Sequence, residues 1–132
     1  MIVLDSSVLS LVLRRHRPAQ PMVERFARLV QQEIPLGVPG VVLQEVLSGV
    51  QSEGQFASLQ RALKGFSILL ADEADHVQAA RISNACRRRG IATSNADCLI
   101  AALTIGRDAQ LWTLDEDFQR IARLSDLKLY TP

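Results

Sequence analysis

The feature that most constrains this chain is an alternation: five short apolar runs recur along it, separated by stretches whose apolar residues follow a helical period. The runs are IVL at 2–4, LGVP at 36–39, SILL at 67–70, QLWT at 110–113 and LKLY at 127–130, each short and apolar enough to be a buried strand. Helical spacing fills 6–15, 20–32, 41–50, 53–64, 73–89, 95–106 and 116–124. Strand and helix in alternation predict a parallel, doubly wound α/β sheet covered on both faces. Asp72 with Asp75 three residues on reads as a capping pair, and Asn95 can cap the helix beginning there. Gly90, after CRRR, stands where a left-handed C-terminal residue is wanted.

Length and composition narrow the class. At 132 residues the chain is expected to form one domain, 1–132, with a core that needs neither disulfides nor a structural metal. Although 48% of residues are apolar, no run approaches the eighteen or so a membrane helix requires, and the start lacks the layout of a signal peptide. A cytoplasmic protein with no membrane partner is expected. Cys86 and Cys98 form no metal or CxxC pattern and read as reduced core thiols. Net charge is only +1, so charge alone names no partner, although 13 of the 15 basic residues are arginine, whose planar fork suits phosphate.

The chemistry follows from where acids fall on this frame. In an open parallel sheet, ligands bind beyond the carboxyl ends of the strands. Asp5 ends the first run, Glu45 lies about one turn into the helix after LGVP, Asp97 is in the first turn of the 95–106 helix, and Asp115 comes just after QLWT. All four project toward one edge. Two carboxylates ~5 Å apart repel by roughly 3 kcal/mol at an effective dielectric near 20, so protonation or a cation has to compensate. An all-oxygen set suits a hard divalent ion such as Mg²⁺ or Mn²⁺ and metal-assisted hydrolysis of a phosphate ester. The same crowding predicts that Asp5→Asn or Asp97→Asn impairs metal binding and hydrolysis while leaving the metal-free fold at least as stable.

Each acid also has a plainer reading. An aspartate after a strand is often a turn or cap residue, Ser6 can cap the first helix as well as Asp5 can, Glu45 can lie on a solvated helix face, and a carboxylate near a helix N-terminus, as Asp97 is, is favourable in itself. Asp117 in DEDF is either an added ligand or a capping partner. Arg14, Arg15 and Arg17 around His16 are candidate phosphate contacts because the first helix starts at the site. Arg87, Arg88 and Arg89 are read as complementing a helix dipole, and neither His16 nor His76 is a general-base candidate. The spacings Met22, Phe26, Leu29 and Phe56, Leu59, Leu63 read as helix packing.

Taken together, IVLDSSVL at 2–9, VVLQEVLSG at 41–49, NADCLIAAL at 95–103 and WTLDEDFQRI at 112–121 resemble the PIN-domain nucleases, especially stand-alone VapC toxins, over nearly the whole chain. The resemblance implies a three-layer α/β/α domain with strand order 3-2-1-4-5 and an Mg²⁺- or Mn²⁺-dependent endoribonuclease. It places Asp5, Glu45, Asp97 and Asp115 in the acidic site, with Asp5, Asp97 and Asp115 on the metal. Asp117 matches the second acid of the family's T-x-D-x-D-F ending, and Ser6 and Thr113 match hydroxyls that support the carboxylates. It also implies a homodimer, an RNA substrate and a VapB-like antitoxin partner. Two rivals stand beside it: a phosphoacceptor receiver domain, which also binds Mg²⁺ at strand ends, and a catalytically silent PIN scaffold. A receiver wants adjacent acids after its first strand and a lysine after its last, whereas serines follow Asp5 here and Lys128 lies near the start of the final run.

Overall fold

A computed structural model describes residues 1–13 and 21–132. The candidate phosphate contacts Arg14, Arg15 and Arg17 lie outside the described residues. Five parallel strands form one sheet in the order β3-β2-β1-β4-β5: β1 (Ile2–Leu4), β2 (Leu36–Pro39), β3 (Ser67–Leu69), β4 (Gln110–Trp112) and β5 (Lys128–Leu129). The helices are α1 (Ser6–Val12), α2 (Pro21–Gln31), α3 (Gly40–Leu47), α4 (Glu53–Leu63), α5 (Glu73–Arg88), α6 (Asn95–Gly106) and α7 (Asp117–Arg123). This is the expected α/β/α architecture and strand order. It excludes the receiver reading, because flavodoxin-like receivers order their strands 2-1-3-4-5, whereas here β1 lies between β2 and β4.

Register explains which apolar runs are deepest. Ile2 faces both Leu36 and Gln110, and Leu4 pairs with Trp112, so β1 has a partner on each side and every one of its residues is buried. β2 is equally buried, as a parallel strand covered on both faces should be. The expectation that all five runs are buried fails at both edge strands: at β5, where Lys128 is exposed and Leu129 half-buried, and most fully at β3. It is an edge strand whose Ser67 and Ile68 are exposed and whose ladder ends where Pro39 pairs with Leu69, leaving Leu70 outside at 74% exposure. Gly37 permits the close approach of β3 to β2, since a Cβ there would lie 3.0 Å from a Leu69 methyl.

Beneath the sheet edge the core gathers Leu4, Leu9, Leu111, Trp112, Phe118 and Ile121, all essentially without solvent contact. Phe26 meets Phe66 with ring centroids 6.0 Å apart, Leu29 and Leu63 are buried, and Met22, Phe26 and Leu59 pack against the core, so five of the six spaced apolar residues belong to it. Helix α5 lies along α6, and Cys86 and Cys98, one on each, are buried free thiols. The Asp72–Asp75 capping box forms with both bonds, at 2.9 and 3.0 Å, and Gly90 ends α5 at φ +72. Arg107 closes the far end of α6 by donating to the carbonyls of Leu103 and Leu70 at 3.1 and 3.0 Å, with Asp75 3.6 Å away. The cap of α6 is Ser94 rather than Asn95: its hydroxyl accepts from the Asp97 amide at 3.0 Å, and Asn95 is the first helical residue.

Candidate metal centre

Asp5 leaves β1 in extended backbone and caps α1. Its Oδ1 accepts from the Ser7 hydroxyl at 2.6 Å and from the Val8 amide at 3.1 Å, and its Oδ2 accepts from the Thr113 hydroxyl. The residue is only 3% exposed. The β1–β4 pairing of Leu4 with Trp112 is what delivers Thr113 to it, and the same crossing lets Ser7 Oγ accept from the Leu114 amide at 2.9 Å. The hydroxyls that bond Asp5 are those of Thr113 and Ser7, whereas the resemblance implies Thr113 and Ser6. Ser6 is the first residue of α1. The choice between the two serines depends on a neighbour more than a hundred residues away, which local sequence does not show.

From Thr113 the bonding continues outward. Thr113 Oγ1 accepts from the Asp115 amide, Asp115 Oδ1 accepts from the Asp117 amide, both at 2.9 Å, and Asp117 Oδ1 accepts from Arg120 Nη1 at 2.6 Å. A buried carboxylate is thus joined by successive hydrogen bonds to a solvent-facing ion pair along the loop from β4 to α7.

Asp97, Asp115 and Asp117 each present a carboxylate oxygen, and those three atoms all lie within 4.8 Å of one another. The expected trio was Asp5, Asp97 and Asp115. In the structure Asp97 and Asp115 are grouped with Asp117, while the Asp5 carboxylate caps α1 and bonds Thr113. Burial raises the pKa of Asp97 above its ordinary value of 3.8; the Ser94 hydrogen bond opposes this, and repulsion from Asp115, Asp117 and Glu45 adds to it. Glu45 is exposed on α3 and acts on Asp97 through that repulsion. At 4.8 Å two such charges repel by roughly 1 kcal/mol in water-like surroundings and about 3 kcal/mol at an effective dielectric near 20. The donor set fits a hard divalent ion: three carboxylate oxygens in reach of one point, no soft ligand among them, and solvent on the open side to complete the coordination.

Besides Ser7, two residues that sequence reading missed belong to this region. Ser94 orients the first turn carrying Asp97, and Arg120 pairs with Asp117. The signal for Arg120 was available, since residues three apart on a helix are neighbours.

A central parallel strand ending in a buried aspartate, with three further acids gathered beside it, defines a PIN-type domain, and the comparisons agree. The family model for the PIN domain matches residues 2–124, so the chain belongs to that family. Among curated proteins it is similar to Ribonuclease VapC11 of Mycobacterium tuberculosis, 39% identical over 89 residues, a stretch covering 66% of this chain and 66% of that protein, just under two thirds of its length. Among solved structures it resembles VapBC2 from Rickettsia felis bound to a DNA fragment from their promoter (TM-score 0.81, 20% identity, 98% of each chain covered). FitAcB from Neisseria gonorrhoeae is similar at TM-score 0.79 and 22% identity, over 99% of this chain and 97% of that one. At those identities the structural likeness is one of fold.

Proposed function

We propose that this chain is a divalent-metal-dependent endoribonuclease acting as the toxin of a VapBC-type pair in the cytoplasm. The observation that carries the reading is the group of three carboxylates on the PIN frame, in a chain 39% identical to a named ribonuclease over the matched stretch. Asp97, Asp115 and Asp117 would hold the ion, with Glu45 at its border and Asp5 as the buried support beneath. A bound Mg²⁺ or Mn²⁺ would help activate a water and neutralise charge developing on the phosphate. The chain's own part is to fix the acids. Ser94 and Thr113 hold the turns that present Asp97 and Asp115, and burial keeps Asp5 from the solvent.

The partner reading rests on relatives. VapBC2 of Rickettsia felis and VapBC-1 of Haemophilus influenzae are complexes by name, which supports a VapB-like antitoxin here. A homodimer is supported by the exposed apolar side chains Ile68 on β3, Leu70 just after it and Val77 on α5. No described helix is long and apolar enough to cross a membrane. The deciding experiment is cleavage of single-stranded RNA by the purified chain, in EDTA and after Mg²⁺ or Mn²⁺ is restored. Cleavage that ignores EDTA overturns the metal reading. Antitoxin binding without any cleavage returns the silent-scaffold alternative.

A further inference from the structure

We propose that Arg120 is an exchangeable counter-ion: it neutralises Asp117 while the acid group is free of metal, and passes to a phosphate of the RNA backbone once a divalent ion engages Asp117. This rests on the ribonuclease reading above and adds to it a residue with two successive partners.

Arg120 Nη1 lies 2.6 Å from Asp117 Oδ1, so the oxygen nearest the guanidinium belongs to one of the three acids of the group. Among the described residues the other ion pairs are Arg107 with Asp75 and Lys128 with Asp108, which makes Arg120 the cation paired with this group. Its tether is short, because Asp117 and Arg120 are one helical turn apart on α7. The guanidinium can therefore release the acid without leaving the site. Nor is the pair locked: the two side chains are 52% and 51% exposed, and exposed ion pairs are weak enough for a divalent ion to compete with.

The remaining geometry gives the exchange a direction. Asp117 Oδ1 already accepts from Arg120, so an ion that engages this oxygen competes with the guanidinium for it. Arg120 carries five donors in a planar fork, of which Asp117 takes one through Nη1. Once released, that fork stands within one helical turn of the acids and matches a phosphodiester's pair of free oxygens. Arg120 is thus a positioning residue for substrate and a competitor of the metal.

The test compares the parent with Arg120→Gln in two titrations. Mn²⁺ binding is followed by calorimetry without RNA, and binding of a mixed-sequence single-stranded RNA is followed by stopped-flow anisotropy before turnover, with and without Mn²⁺, across a salt series. The expected result is Mn²⁺ affinity about two- to fivefold tighter in Arg120→Gln, the range an exposed ion pair commands. With Mn²⁺ present, the slope of log affinity against log salt is expected to shrink by about 0.7, one single-strand phosphate contact, and to stay unchanged in its absence. Equal Mn²⁺ affinities with unchanged slopes overturn the exchange. A slope lowered equally with and without metal overturns it too, leaving Arg120 a fixed phosphate contact. A parent that binds no Mn²⁺ sinks the metal reading of the site itself, which is a separate outcome.

Discussion

Thr113 donates its hydroxyl hydrogen to the buried carboxylate of Asp5 and, through the same oxygen, accepts the amide of Asp115. One side chain therefore couples the deepest acid of the sheet edge to the loop that carries the outer ones.

Replacing that hydroxyl with a methyl separates the two. Thr113→Val keeps shape and removes both bonds, so a loss of about 1–2 kcal/mol is expected from urea denaturation, one hydrogen bond being to a charged group. RNA cleavage should fall further than stability because the Asp115 loop loses its anchor. Thr113→Ser should recover most of both, and a Val variant with full stability and activity would show the contact to be idle.

Asp5 and Asp97 should respond in opposite senses to the same substitution. Asp5→Asn weakens charge-assisted bonds from Ser7 and Thr113 and leaves an amide group facing Thr113, so thermal melts in EDTA should show a less stable variant, by about 1–2 kcal/mol. Asp97→Asn relieves burial and repulsion of a charge and should melt at or above the parent in EDTA. The uniform tolerance that acid crowding alone would predict is thus expected at Asp97 and not at Asp5.

The pH dependence of stability should carry the signature of Asp97. Its pKa in the folded chain is raised above 3.8 by burial first, so the folded state keeps a proton that the unfolded state has released. Stability from this group falls as pH rises from about the unfolded value to the raised folded one, and the penalty persists above it. In metal-free buffer the difference in melting temperature between Asp97→Asn and the parent should widen across that window and then level off. A constant difference at every pH would mean that Asp97 titrates alike in both states.

Metal should reverse the order seen without it. Added Mg²⁺ or Mn²⁺ stabilises only the state that binds it, so the parent's melting temperature should rise with ion concentration while that of Asp97→Asn rises little. Equal shifts in the two proteins would place the ion elsewhere.

Arg107 offers a control remote from this chemistry. Arg107→Ala frees the carbonyls of Leu103 and Leu70 and leaves Asp75 without its guanidinium, and should cost about 1–3 kcal/mol by urea denaturation. Cleavage per folded molecule should be unchanged.

The sheet was legible in the sequence because each strand is a compact apolar run, and Asp97 and Asp115 were legible because their places follow from strand ends and a helix start. What escaped reading depends on pairs distant in the chain. Leu4 must lie beside Trp112 before Thr113 can reach Asp5, whereas the Asp5 cap on the Val8 amide is local and Asp117 was among the acids the sequence offered. Ser7 prevails over Ser6 through the Leu114 amide. SILL reads as a buried strand because composition carries no mark of lying at the edge of a sheet.

Cys86 on α5 and Cys98 on α6 are 0% and 1% exposed, and burial pushes the Cys86 thiol above its ordinary pKa, with Cys98 adding to the shift. Both sulfurs are buried, so a reagent labels them as the structure around them opens. The pair is therefore a built-in clock for the hairpin that carries Asp97: the rate at which a maleimide or disulfide reagent labels these thiols reports how often the hairpin opens, without any introduced probe. A ligand bound at Asp97 that holds α6 closed should slow that clock in proportion to its occupancy.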